Sequence, residues 1–172
     1  MAAVLTRPES RYKASFIAAI KEFQQVDQRH TGVELAWLGR HFESYVHALL
    51  QRETHPAAGR VPETLYWLVE GEDFIGRASL RHHLNTSLRE IGGHIGYEIR
   101  PSQRLKGYGT LICHLVLEEA AAMGMERVMI TCDETNTGSR KIIEANGGVY
   151  EGSVTPRGHS VPVRHYWVIL NA

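Results

Sequence analysis

The 172-residue sequence is poor in the features that mark a secreted, membrane-bound or polyanion-coating chain. It has two cysteines, Cys113 and Cys132, each among apolar neighbours and neither in a Cys-x-x-Cys pair. Two are too few for a disulfide framework, and their spacing excludes a zinc site built on thiolates, so a reducing cytoplasm is the simplest setting. No apolar run approaches the ~20 residues that a membrane span needs. The opening MAAVLTRPES lacks the apolar centre of a secretory signal. Excess charge is also missing: 19 Lys+Arg stand against 19 Asp+Glu, without a basic or acidic run. That excludes a chain built mainly to coat nucleic acid or anionic membrane. What the chain does have is 43% hydrophobic residues, enough for one folded domain over residues 1–172.

Periodicity gives the order of elements. Residues 2–5 suit an edge strand, and Pro8 opens a helical pattern in which Tyr12, Phe16, Ala19, Ile20 and Phe23 form one apolar face. A second helical pattern runs unbroken from 35 to 52. Residues 64–69 and 74–80 read as a hairpin about Glu70–Asp73, residues 91–100 as a further strand, and residues 110–123 as a helix closed by Gly124. A buried strand over 127–132, a short helix capped by Asn136, and strands over 149–154 and 165–170 complete the chain. Trp37, Trp67 and Trp167 all fall in apolar patterns and read as core. The order β-α-α-β-β-β-α-β-α-β-β predicts an α/β (α+β) fold with a mixed, mostly antiparallel sheet of about seven strands. The crossover makes strands 91–100 and 127–132 parallel.

Zero net charge conceals one local imbalance. From Ile99 to Leu117 there is no acidic residue, while Arg100, Arg104 and Lys106 crowd the start. Within this stretch Arg104-Leu105-Lys106-Gly107-Tyr108-Gly109-Thr110 joins a strand to a helix. Glycines there turn successive N–H groups toward one spot, and the helix start adds unpaired donors, which makes either a phosphate cradle or an ordinary βα turn. A P-loop is excluded because Gly-x-x-x-x-Gly-Lys-[Ser/Thr] does not occur. The dinucleotide fingerprint fails because Ile112 stands where its third glycine belongs.

Arg104-Leu-Lys-Gly107-Tyr-Gly109 resembles the Arg/Gln-x-x-Gly-x-Gly/Ala signature of the GNAT superfamily of acyl-CoA N-acyltransferases. The preceding Ile-Gly-Tyr-Glu-Ile-Arg-Pro strand, the following Ala-rich helix, and Asn136-x-x-Ser139 in a helix closed by Asn146-Gly147-Gly148 extend the likeness over about residues 91–152. The resemblance implies an N-acetyltransferase using acetyl-CoA as co-substrate, without metal. Its acceptor would be an amine of a small molecule or peptide, with no nucleic acid or membrane partner and with a homodimer left open. It implies that the amides of Leu105, Lys106, Gly107, Tyr108, Gly109 and Thr110 hold the pyrophosphate, with Arg104 and Lys106 adding charge. It also implies that the strands over 91–100 and 127–132 splay, with a backbone N–H near Ile99 polarising the thioester carbonyl. Asn136 and Ser139 would face the cofactor, Asn136 serving as helix cap, cofactor contact or both.

An amine nucleophile needs a base, because it is mostly protonated near neutral pH. Strand alternation puts His94, Glu98 and Arg100 on one face, which makes His94 and Glu98 the base candidates, with Glu134 behind them. The two are roughly 13 Å apart along a strand and do not act as a touching pair. Many family members carry a tyrosine seven residues after the Asn as general acid, and here that position is Ile143. Tyr97, Tyr150 or Tyr166 then donates the proton, or the thiolate departs unprotonated, or the chain is a non-catalytic acyl-CoA-binding module.

Overall fold

The computed structural model describes residues 2–170. Seven strands form one sheet, β1 (Val4–Thr6), β2 (Glu63–Glu70), β3 (Asp73–Arg81), β4 (Ile95–Ile99), β5 (Arg127–Asp133), β6 (Val149–Val154) and β7 (Val163–Ile169). Their order across it is β1-β2-β3-β4-β5-β7-β6, and only β4 and β5 pair in parallel. The helices are α1 (Lys13–Val26), α2 (Leu35–Arg40), α3 (Phe42–Gln51), α4 (Thr86–Glu90), α5 (Tyr108–Ala122) and α6 (Thr137–Ala145).

Strand β2 shows why both faces of the sheet must be covered: its six inner residues, Thr64 to Val69, are all buried. On one face α1 and α3 bring Phe16, Phe23 and Phe42 onto Trp67 and Phe74. Phe16 stacks on Trp67 at 4.7 Å between ring centres and meets the Phe74 edge at 4.9 Å, so these rings lock helix to sheet. On the other face α5 buries Ile112, Cys113, Val116 and Ala120 against Leu68, Leu80, Ile95, Ile130 and Val168. Burial pushes the Cys113 thiol up to about 12, so it is an inert core group.

Three sequence expectations are corrected. The helix expected over 35–52 breaks at His41, whose N–H and ring Nδ1 both turn back onto the Trp37 carbonyl, at 2.9 and 3.0 Å. Trp37 is 44% exposed and stacks on His41, so it is not a core residue. The strand expected over 91–100 begins only at Ile95, because Gly92 (φ +112°) and Gly93 (φ +60°) turn the chain out of a short helix, α4. At Gly93 a Cβ would lie 2.5 Å from the Met129 carbonyl oxygen, which only glycine tolerates.

Truncating the ring that joins α1 to the sheet tests this account. Phe16→Ala is expected to cost about 3–5 kcal/mol, read as a lower urea midpoint with unchanged m-value.

Candidate active site

The β4–β5 pair is where the sheet opens. Arg81 N–H donates to the His94 carbonyl (2.7 Å) and Arg100 N–H to Ile75 (2.9 Å), so the even-numbered residues of β4 bond to β3. The odd ones, Ile95, Tyr97 and Ile99, therefore turn their N–H groups toward β5. Ile95 meets Ile130, and among the described residues no further β5 residue pairs with β4. A slot of about 280 Å³ lies in the opening, bordered by Gly96, Tyr97, Thr131, Asn136 and Ser139. The apex is held by Gly93, close against Met129, and by His94. His94 N–H donates to Met129 O (2.7 Å), and Met129 N–H donates back to the His94 ring Nδ1 (2.8 Å).

The start of α5 lies beside the end of β4, where a Cβ on Gly109 would be 4.0 Å from Ile99 Cγ1. Leu105 (φ +60°) and Gly107 (φ +86°) are left-handed, and Leu105 projects its side chain fully into solvent. A leucine held at positive φ is a strained position that the loop maintains. Among the described residues no acceptor takes the N–H of Leu105, Lys106, Gly107, Tyr108, Gly109 or Thr110. Six free donors at a helix start suit an anion well. A Cβ on Gly107 meets nothing within 4 Å. A Cβ on Gly109 would lie 2.6 Å from Ile142 Cδ1, so Gly109 serves the close packing of α5 on α6. The basic side chains nearby are engaged within the chain. Arg104 is bidentate on Asp27, its Nε donating to the Ile99 carbonyl (3.2 Å), and Arg100 is paired with Glu22 (2.7 Å). Lys106 reaches only Gln103 (2.9 Å).

The opposite side of β4 faces a larger cavity of about 710 Å³ under α1 and α3. Its floor follows from the register: Glu63↔Arg81, Leu65↔Ser79↔Gly96 and Trp67↔Arg77↔Glu98 lie in rows on one face. Glu98 is 9% exposed and lies 2.5 Å from Arg77 Nε, 2.9 Å from His30 Nε2 and 3.3 Å from Arg29. Burial pushes its carboxyl up, but Arg77, His30 and Arg29 together outweigh burial and hold it below the ordinary carboxylate range. His30 is itself left-handed (φ +58°) in the loop after α1. Arg29, His30 and Arg77 were not foreseen. Arg77, Ser79 and Arg81 alternate along β3 and were legible as an inward polar row, whereas nothing in the loop sequence marks His30.

The other expected residues fall as follows. His94 borders neither cavity. It is buried, and desolvation with nearby Arg89 and Arg81 lowers it to about 4, so it stays a neutral acceptor for Met129. Glu134 is taken up by Arg164 at 3.0 Å. Asn136 caps α6, its Oδ1 accepting from Ser139 N–H (3.0 Å), and it also borders the slot. Tyr97 and Ser139 hydroxyls are 2.9 Å apart at the slot, and burial pushes the Tyr97 phenol up, which keeps it protonated. Ile143 is a residue of α6 and is fully buried. Tyr166 is engaged with Glu144, and Tyr150 with Ser153 near the surface. Among the described residues no group of His, Cys, Asp or Glu gathers as a metal site, and no helix is long and apolar enough to cross a membrane.

An open seven-stranded sheet, parted between its one parallel pair above a glycine-turned helix start, is the architecture of the GNAT fold. A family model for the acetyltransferase (GNAT) domain matches residues 35–149, and the chain belongs to that family. No curated protein sequence matches it. Among solved structures it is similar to RimL, a ribosomal L7/L12 alpha-N-protein acetyltransferase in complex with coenzyme A (15% identity, 99% of this chain and 95% of that one, TM-score 0.71). It is also similar to a ribosomal-protein-S5-alanine acetyltransferase from Vibrio fischeri (15%, 99% and 94%, TM-score 0.72). A third is the microcin C7 self-immunity acetyltransferase MccE in complex with acetyl-CoA and AMP (14%, 97% and 92%, TM-score 0.70). At these identities the likeness is one of fold.

The role given to His94 has a pH signature. Its folded pKa of about 4 lies below the ordinary 6.5, so between these values the unfolded chain binds a proton that the folded one does not. Stability from this group is complete above pH 6.5 and lost as pH falls toward 4, by about 3 kcal/mol. Urea titrations at pH 7, 5.5 and 4 are expected to show that loss, and His94→Gln, less stable at pH 7, is expected to show a correspondingly shallower one.

Proposed function

We propose that this chain is an acetyl-CoA-dependent N-acetyltransferase, one domain over residues 1–172 acting on an amine in a reducing cytoplasm. The observation that carries the reading is the set of six acceptor-free amides at the α5 start, on the same sheet that parts between β4 and β5. Gly96, Tyr97, Arg29 and Arg81 border both the slot and the large cavity, so these two spaces adjoin. The cradle fits a pyrophosphate by its donors and by the empty space around Gly107. Acetyl-CoA, a substrate here, supplies the acetyl thioester.

The residues divide the work by position. Leu105 to Thr110 bind the diphosphate through backbone, which asks little of Arg104, already paired with Asp27. Tyr97 and Ile99 offer backbone N–H groups along the slot. The reacting end of a pantetheine arm is far from its phosphates, so the Tyr97 N–H, at the cavity, is the better oxyanion donor than that of Ile99. On the cavity face Glu98 and His30 receive the proton of the amine, directly or through water. A carboxylate clamped by Arg77 is a poor base alone, but it orients and charges-balances an imidazole, the side chain best suited to base work near neutral pH. On the slot face the protonated Tyr97 hydroxyl, beside Ser139, is the donor for the departing thiolate. The absence of a tyrosine at Ile143 therefore gives no support to a non-catalytic module, since the Tyr97 phenol borders the slot.

Two measurements test this. Gly107→Glu puts a side chain and a negative charge into the cradle, and calorimetry is expected to show coenzyme A affinity reduced at least tenfold; unchanged affinity in the folded variant contradicts the site. In a thiol-release assay His30→Gln and Glu98→Gln are each expected to lower kcat about tenfold or more while the acetyl-CoA KM moves less than about threefold. Full activity of both variants across pH 6–9 would remove them as the base pair.

A further inference from the structure

The large cavity is far more cationic than the chain that builds it. Five arginines border it (Arg29, Arg52, Arg60, Arg77 and Arg81) against two carboxylates, Glu63 and Glu98. Guanidinium groups keep their protons, so the excess is permanent. Glu98 answers Arg77 and Arg29. Glu63 lies 3.1 Å from Arg52 but 3.9 Å from Arg81. Among the described residues Arg60 has no ion-pair partner. Like charge is thus left over at the Glu63 end, about four strand residues (roughly 13 Å) from the Arg77–Glu98 end.

Arg81 is built into its place. Its Nη1 donates to the carbonyls of Gly92 and Gly93, both at 3.0 Å, while Nη2 makes no hydrogen bond among the described residues. The guanidinium lies over Gly96, where a Cβ would be 3.6 Å from Nη2 and 3.7 Å from Nη1. Arg60 and Arg81 border the same cavity. Burial weakens the hold of Arg81 on its proton, Glu63 opposes this and Arg60 adds to it. A held fork with one free edge, half in a low-dielectric wall, is matched by a carboxylate or phosphate and repels a second cation.

We infer that the acceptor is an amine whose own molecule carries a carboxylate or phosphate. Arg60 and Arg81, with Arg52 beside them, bind that anion while the amine lies over Ser79 and Gly96 toward the slot. This rests on the transferase reading and narrows it. Polycationic amines are disfavoured by the same charge. An amino acid with its free carboxylate, a phosphorylated amine and an acidic peptide share the required chemistry.

Matched acceptors separate these sources. Thiol release is measured with 4-aminobutyrate against butylamine, O-phosphoethanolamine against ethanolamine, an aspartyl peptide against its asparaginyl counterpart, and spermidine. In at least one pair the anionic member is expected to have kcat/KM about tenfold or more above its neutral partner and above spermidine. Arg60→Gln, at an exposed side chain that does not hold the fold, is expected to cut that preference about tenfold, chiefly through KM. Preference for the neutral members or spermidine, or a preference untouched by Arg60→Gln, overturns the inference. Calorimetry with inorganic phosphate, the cradle first saturated with coenzyme A, keeps the two readings apart. Phosphate binding weakened tenfold by Arg60→Gln without thiol release from any amine keeps the anion site and sinks the transferase reading. Thiol release without phosphate binding does the reverse.

Discussion

The contact of Gly93 and His94 with Met129 fixes the site. Two parallel strands in one sheet would ordinarily continue side by side, and these touch and then part. The touch is close because Gly93 has no Cβ to strike the Met129 carbonyl, and it is closed by an imidazole taking the place of a backbone acceptor. That substitution works only while the ring is neutral, which its burial secures. From this apex follow the slot, the unpaired edge of β4, and the junction at Gly96 and Tyr97 through which the two cavities meet. His94 is therefore a positioning residue: its side chain borders no cavity, yet it holds the strands whose divergence makes them.

Charge is handled in two different ways on the two sides of β4. At the α5 start, two of the three basic side chains are answered by acids, Arg100 by Glu22 of α1 and Arg104 by Asp27 at its C-terminal cap. Such half-exposed pairs contribute modestly to stability. What they do is tie the loop to α1, so that the free donors are backbone amides held by left-handed Leu105 and Gly107. In the large cavity the reverse holds. Backbone plays little part there, and guanidinium groups from two loops (Arg29 and Arg60), one helix end (Arg52) and strand β3 (Arg77 and Arg81) converge on one space.

Much of this was legible in the sequence and some could not be. Strong periods gave the seven strands, α1, α5 and the Asn136 cap, because apolar spacing reports burial directly. The break at His41 escaped because a side chain reaching back to its own helix leaves the apolar period unchanged. The late start of β4 escaped because Gly92 and Gly93 suit a strand pattern as readily as a turn. Charge was misread in both directions for one reason. Counting along the chain cannot find Asp27 beside Arg104, nor bring Arg29, Arg52, Arg60 and Arg77 together. A net charge of zero and an arginine-lined cavity are compatible because sequence neighbours are not spatial neighbours.

The period of a strand also explains how one short segment can serve several proposed roles. Tyr97 and Glu98 are adjacent, so their side chains leave opposite faces of β4 while their N–H groups leave opposite edges. Glu98 looks into the arginine cavity with His30 and Arg77, and Tyr97 looks into the slot with Ser139. The Tyr97 N–H lies in the plane between them, on the edge that β5 has left. An acceptor amine losing its proton on one face, a carbonyl gaining charge in the plane and a thiolate taking up a proton on the other face would then be served by two consecutive residues. The backbone geometry would then hold the proton acceptor and the proton donor on opposite faces of β4, each beside the group it is proposed to serve. That separation requires an open edge, and the edge is open because β5 turns away after Ile130.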